Sequence, residues 1–283
     1  MELITLFFFY FILVFSIIGF GKFVCFRTKL NFDIGFQGLL GILFLIIVSY
    51  FSNYLFPHNY FHNSLIILIG FSYFIYLAFL KKIIFRDIKI VFIVFSILFI
   101  GLLMYKNHDD FITYHFPYTL SIINYKKIIG IGHLDGGFTT PSSIFYLNSL
   151  FYLPFVEYYL TNSGAVYIMG FSNLFFLNII KVNLKKKNFI LYLSGFSFVF
   201  INTVFYRIAE HGTDRSALIL VFLLSIIFLE SINIKKSILK NNLYNYYIKL
   251  IILITLIISL KSFYLIYILV FLVWIFYLKD FIF

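Results

Sequence analysis

The residues able to do chemistry crowd into one stretch, His108 to Ser142, HDDFITYHFPYTLSIINYKKIIGIGHLDGGFTTPS. It carries three of the six histidines, the adjacent pair Asp109 and Asp110, a third carboxylate at Asp135, and four of the fifteen glycines. Carboxylates and imidazoles together offer proton transfer or ligation of a cation. A second polar island, RIAEHGTDRS at 207–216, adds Arg207, Glu210, His211, Asp214 and Arg215. Arg215 follows a helix cap at Thr213 or Asp214 and opposes the helix dipole there, which suits a cation facing an anion. Lys261 stands alone between two apolar runs, either as a snorkelling lysine or as a phosphate contact. Bland readings stand beside each of these. Asp109 or Asp110 can be an N-cap, the glycine-rich loop a plain surface turn, and Asp214 with Arg215 a cap and an ion pair. His108, Asp109, Asp110, His115 and His133 include suitable metal donors, but no HExxH or HxH spacing accompanies them. A loosely held divalent cation is therefore the only cofactor the donors suggest, and no cofactor is assigned.

These residues sit in a chain of 283 residues that is 63% hydrophobic and 12% charged, with mean hydropathy +1.02. A soluble domain is about half apolar and about a quarter charged. The class is therefore an all-α, polytopic transmembrane helix bundle. The net charge of +11 reads as a topology signal in short loops, not as a nucleic-acid surface. The single Cys25 excludes an internal disulfide and a cysteine metal cluster. The N-terminal run MELITLFFFYFILVFSIIGF lacks a basic start and a small-residue cleavage site, and is expected to be the first span.

Apolar runs predict about nine spans, at roughly 3–21, 34–56, 64–80, 90–104, 164–180, 188–205, 216–234, 246–260 and 262–278. The apolar segment 143–160 is decided by charge. If it does not cross, 16 of the 22 basic residues share one side, which is then cytoplasmic. It is therefore expected to be an interfacial or re-entrant helix. All six histidines and seven of the eleven acids then fall on the outer side. Three regions follow: N-terminal spans over 1–104, an outer loop with the acidic motif over 105–163, and C-terminal spans over 164–283.

Within the outer loop, residues 110–125 are expected to form an amphipathic interfacial helix. At 100° per residue Ile112, Phe116, Leu120 and Ile123 share one face, with Asp110, Tyr114, Ser121 and Asn124 opposite. Pro117 cannot donate to the Thr113 carbonyl, so it should kink this helix or begin a new one. Pro141 with Ser142 and Ser143 signals another helix start. The helix expected there, SIFYLNSLFYLPFVEYYL, mixes Asn148 and Glu157 with aromatics and suits the interface better than the bilayer core.

The order of a span, an acidic pair, a D-x-x-x-Y-H-x-P helix and a glycine-rich loop closing on serine resembles the first outer loop of the GT-C superfamily of membrane glycosyltransferases. The residues are Asp110, Tyr114, His115 and Pro117, then Gly130, Gly132, Leu134 and Ser142. DDFITYHFPYTLSIINY and GIGHLDGGFTTPSSIFYLNSLF resemble an uncharacterised bacterial multi-span branch, and HGTDRSALIL its later outer loop. The likeness covers about residues 100–265. It implies inverting transfer of a sugar from a polyprenyl-phosphate donor to an acceptor on the outer face, in cell-envelope glycan assembly. Asp109 and Asp110 would supply the catalytic carboxylate. Arg207, Arg215 and Lys261 would hold the donor phosphate, and Tyr114, His115, His133, Asp135, His211 and Asp214 complete the substrate-binding set. The partners implied are a lipid-linked sugar donor and membrane lipid, in the bacterial plasma membrane with the site facing outward.

Two features depart from that pattern. The acidic pair follows the fourth predicted span and not the first. The chain also ends in apolar sequence, WIFYLKDFIF, as a truncated form lacking donor-binding spans would. The competing classes are a transporter or flippase for lipid-linked glycans, and a polysaccharide polymerase or ligase. The transporter reading predicts internal repeats and charges within spans, of which Glu230 is the main acid.

Overall fold

The computed structural model describes residues 2–104, 109–139, 141–207, 209, 213–233, 236–270, 272, 273 and 276, without the side chains of 233 and 236–243. Among these residues the fold is helical, with no strand and one isolated bridge, Leu153 to Glu157. Ten α-helices are described: α1 Leu3–Thr28, α2 Ile34–Leu55, α3 Tyr60–Phe79, α4 Phe85–Leu103, α5 Phe116–Asn124, α6 Ser143–Ser149, α7 Gly164–Asn183, α8 Phe189–Val204, α9 Thr213–Asn233 and α10 Lys236–Leu260.

Five of them are long and apolar enough to cross a membrane: Leu3–Thr28, Ile34–Leu55, Tyr60–Phe79, Gly164–Asn183 and Thr213–Ile232. This makes the chain a membrane protein, with fewer such helices than the nine spans expected. The differences have physical reasons. α4 opens with Arg86, Asp87 and Lys89, which leave its apolar part short. α8 and the apolar part of α10, Tyr244–Leu260, have fewer than 18 residues. The stretch expected to cross after Lys261 begins as a 3₁₀ turn, Ser262–Tyr267.

α1 lies between α2 and α3, and α2 packs on α7, which is also met by α4, α8 and α9. Glycines set the closest of these approaches. A Cβ on Gly41 of α2 would meet the Ile17 carbonyl of α1, and one on Gly19 of α1 would meet the Gly70 carbonyl of α3. Small residues let backbones touch where lipid offers no hydrophobic drive to association. Around these contacts Tyr10, Phe36, Phe95, Phe151, Phe171 and Phe175 are fully buried.

The segment 143–160 is not one continuous helix. It contains α6, seven residues long and about 10 Å, with every residue buried. α6 packs against α2, α5, α7 and α10 and is enclosed by protein. Polar groups fasten it. The Ser49 hydroxyl donates to the Tyr146 carbonyl at 2.7 Å. The Asn63 amide nitrogen lies 2.7–2.9 Å from the carbonyls of His58, Ser149 and Tyr152.

The helix before it also differs from expectation. Phe111–His115 is a π turn, in which the Phe116 N–H donates to the Phe111 carbonyl, and α5 follows with Pro117 in its first turn. The wide turn carries the helix past the proline without a break. It also rotates the packed face. His115, Tyr118, Thr119 and Ile122 are buried, whereas Ile112 of the predicted apolar stripe is 64% exposed.

Candidate functional site

One end of the bundle gathers α5, α6, the C-terminus of α10 and the N-terminus of α9 around a cavity of about 270 Å³. Its lining includes Tyr114 and His115 from the π turn before α5, Ser142 and Phe145 from the start of α6, Thr213 from α9, Ser259 from the end of α10, and Lys261 and Ser262 beyond it. The acidic-motif stretch and the two later polar segments therefore converge, although about 120 residues of chain separate Ser142 from Lys261.

Tyr114 leads from this cavity to the acidic pair. Its hydroxyl donates to Asp110 Oδ2 at 3.3 Å. Burial pushes the Tyr114 phenol above its ordinary pKa, and the Asp110 and Asp214 carboxylates push it in the same direction. The ring rests on the loop at Gly137, where a Cβ would come within 2.6 Å of it. His115 stands edge-on to Tyr114, with centroids 4.3 Å apart, and is almost fully buried beside Phe145.

The two aspartates are not equivalent. Asp110 is half-buried and bonded to Tyr114, whereas Asp109 is exposed. Neither expected capping role holds for Asp110, which has helical backbone and no capping side-chain bond. The Asp109 carbonyl accepts from the Thr113 hydroxyl at 3.1 Å.

On the facing wall Lys261 Nζ is 2.9 Å from Asp214 Oδ1, each side chain about two-fifths exposed. Arg215 turns away from a ligand role in part: its Nη1 donates to the Arg207 carbonyl at 3.0 Å and ties the segment to α9. His133 and Asp135 do not line the cavity. His133 is exposed in the 3₁₀ turn Ile131–His133, and Asp135 caps the next turn by accepting from the Gly137 N–H at 2.6 Å. His211 lies outside the described residues, as do His108 and Glu210.

Sequence reasoning missed the hydroxyls. Ser142 donates to the Leu260 carbonyl at 2.6 Å, which fixes α6 to the residue before Lys261. Ser259 and Ser262 flank that lysine. Their one visible signal is the break in apolar sequence at SLKS, residues 259–262. Among the described residues no group of three or more His, Cys, Asp or Glu side chains is placed to hold a metal ion, so the suggested cation has no assembled donor set there.

A neighbouring polar core supports this wall. His58 is fully buried between Ser149 Oγ, 2.7 Å from Nδ1, and Ser52 Oγ, 3.1 Å from Nε2. Each serine hydroxyl also reaches a backbone carbonyl, Tyr146 at 2.8 Å from Ser149 and Ser49 at 3.2 Å from Ser52. Burial, then His62, pushes the His58 pKa down to about 3, and the imidazole stays neutral. Beside it Lys127 donates to the Tyr146 hydroxyl and lies over the Tyr50 and Tyr146 rings, which stack at 3.8 Å.

The opposite end holds a different charge cluster. Lys249 of α10 lies 5.5–6.0 Å from the centroids of Phe32, Phe36, Phe175 and Tyr246. Its field reaches Asp33, the N-cap of α2. No protein-family model, curated protein or solved structure matches this chain.

Proposed function

We propose that this chain is a GT-C-type membrane glycosyltransferase, moving a sugar from a polyprenyl-phosphate donor to an acceptor in cell-envelope glycan assembly. The observation that carries the reading is the shared cavity. Tyr114, with Asp110 behind it, faces the same 270 Å³ space as Lys261, with Asp214 behind it. A carboxylate and an ammonium across one small polar space suit a displacement at an anomeric carbon. The acceptor oxygen forms a bond to that carbon, and the bond to the phosphate oxygen breaks. The phosphate leaves with the electron pair, and the acceptor proton goes to Asp110. Lys261 exchanges Asp214 for the leaving phosphate and balances its charge. Asp110 is preferred over Asp109 for the proton because it is hydrogen-bonded to Tyr114, which lines the cavity. Arg207 and Arg215 then shape the segment more than they grip the donor.

In this reading the cavity end faces outward from a bacterial plasma membrane. The loops at the opposite end carry most of the lysines, which belong in the cytoplasm. α4, α8 and the Tyr244–Leu260 part of α10 cross as shorter spans beside the five long ones, and a ninth follows Lys261. A transporter of lipid-linked glycans is the second reading. It is favoured by the charge held inside the bundle at the other end, where Lys249 sits among aromatic rings near Asp33.

The test is transfer of labelled sugar from polyprenyl-phosphate-linked donors by membranes containing the chain. Asp110→Asn is expected to lower the rate by about 100-fold or more, and Asp109→Asn by less than about threefold. Wild-type transfer by Asp110→Asn ends the catalytic assignment. Unchanged transfer with lost movement of lipid-linked glycan across the membrane would favour the second reading.

A further inference from the structure

The turn at 152–160 is held in a conformation its own residues disfavour. Phe155 and Glu157 both have left-handed backbone, with φ of 70° and 43°, a region that bulky L-residues rarely enter. The base of the turn is rigid. The Glu157 N–H donates to the Leu153 carbonyl at 2.8 Å, and Leu153 and Val156 are buried. Tyr152 stacks between Tyr60 and Tyr158, with centroids 4.2 and 4.6 Å away. Asn63 holds the Tyr152 carbonyl at 2.9 Å. This base over-determines the tip, and the result is that the Phe155 ring projects outward, 76% exposed.

Its neighbour decides what the ring meets. Phe155 lies 6.1 Å from Phe9 of α1, next to the outward-facing Phe8. α1 is a 26-residue helix long and apolar enough to cross a membrane. Phe9 is six residues past its first residue, Leu3, or roughly 9 Å along the axis. That is about the depth at which headgroups give way to acyl chains. Tyr159, also exposed, has the apolar body and polar tip that interfaces select.

We propose that the 152–160 turn is a membrane-interface anchor. Phe155 inserts among acyl chains beside α1, and Tyr159 sits at headgroup level. The partner is the bilayer, and the backbone strain at Phe155 is retained because it aims an apolar ring into lipid. The anchor follows α6 directly, so it holds the Ser142–Phe145 wall of the cavity at the membrane surface whatever chemistry the cavity performs.

The test uses the full chain in phosphatidylcholine liposomes. A nitroxide is attached at Phe155→Cys in a Cys25→Ser background, with Leu134→Cys, in the exposed glycine-rich loop, as the aqueous reference. At position 155 collisions with dissolved oxygen should exceed those with a water-soluble nickel chelate by several-fold, and the order should reverse at 134. Preferential collision with nickel at 155 overturns the proposal. So does spin–spin broadening at 155 that disappears on dilution with unlabelled chain, because the occupant is then a second copy. Should the Cys25→Ser background fail to fold, Phe155→Trp in a Trp274→Phe chain gives the same decision. Lipids brominated high on the acyl chain should quench its fluorescence by half or more, and no quenching overturns the proposal.

Discussion

At the scale of single residues, His58 shows how much a buried imidazole costs and what it supports. It is neutral in the fold down to about pH 3, whereas a free histidine protonates near 6.5. Between those values the unfolded chain binds a proton that the fold refuses. The stability tied to neutral His58 is therefore complete above about pH 6.5 and falls as pH drops toward 3, by about 1.4 kcal/mol for each pH step. Thermal unfolding in detergent should show a lower Tm at pH 5 than at pH 7.5, and His58→Gln should flatten that dependence; equal slopes for both chains would remove His58 from this role. The same scale explains what was legible in the sequence. Asp110, Tyr114, His115, Asp214 and Lys261 stood out because polar groups are rare in so apolar a chain; Tyr114, His115 and Lys261 line one cavity, and Asp110 and Asp214 bond to two of them. His133 and Asp135 stood out for the same reason but serve their own loop. Thr213 and Ser142 were read as helix-start residues and Ser259 not at all, because small hydroxyls recur throughout membrane helices and only the fold shows which ones face a cavity. His58 and Asn63 were read as loop residues because nothing local marks a buried network assembled from segments about 90 residues apart.

At the scale of elements, the π turn Phe111–His115 is the decisive departure from a uniform helical period. A reading at 100° per residue grouped Ile112, Phe116, Leu120 and Ile123 on one face; Ile123 is buried but Ile112 is exposed, and the wider turn buries His115, Tyr118, Thr119 and Ile122 as well. The proline causes this, because it lacks the N–H that an ordinary α-helix would place against the Thr113 carbonyl. Pro117→Ala restores that donor. The turn should tighten to α geometry, stabilise the helix by about 1 kcal/mol or more, and rotate Asp110 and Tyr114 away from the cavity. The expected outcome is a higher Tm with sugar transfer reduced at least tenfold; a variant that keeps full transfer would show that the turn does not position Asp110. Helix starts were easier to read. The start signalled at Pro141–Ser143 is there, with Ser142 capping α6 through its side chain; Asp33, Asn59 and Asn188 cap α2, α3 and α8 in the same way without having been singled out. Span length was harder, because an apolar run records composition and not where a helix ends.

At the scale of the whole molecule, charge predicts sidedness and the fold supplies the grouping. Tyr114, Ser142, Thr213 and Lys261 lie together at one end, while Phe32, Phe36, Phe175 and Lys249 meet at the other. Introduced cysteines should follow the same division. In sealed inside-in cells Leu134→Cys should react with an impermeant maleimide and Lys187→Cys should react only after lysis; the reverse order would invert the molecule in its membrane. The seven buried residues of α6 carry a further implication, for how the protein is made. A segment this short cannot be threaded into a bilayer as a span, and Ser143, Asn148 and Ser149 give it polar groups that lipid would not accept. It has to wait beside the membrane until α2 and α7 offer a protein-lined berth. Its N-cap, Ser142, gains its partner only when Leu260 has been synthesised. During synthesis the cavity is therefore a late product, closed only once α10 has been made, and a nascent chain halted before that point would hold the five long helices described and no finished site.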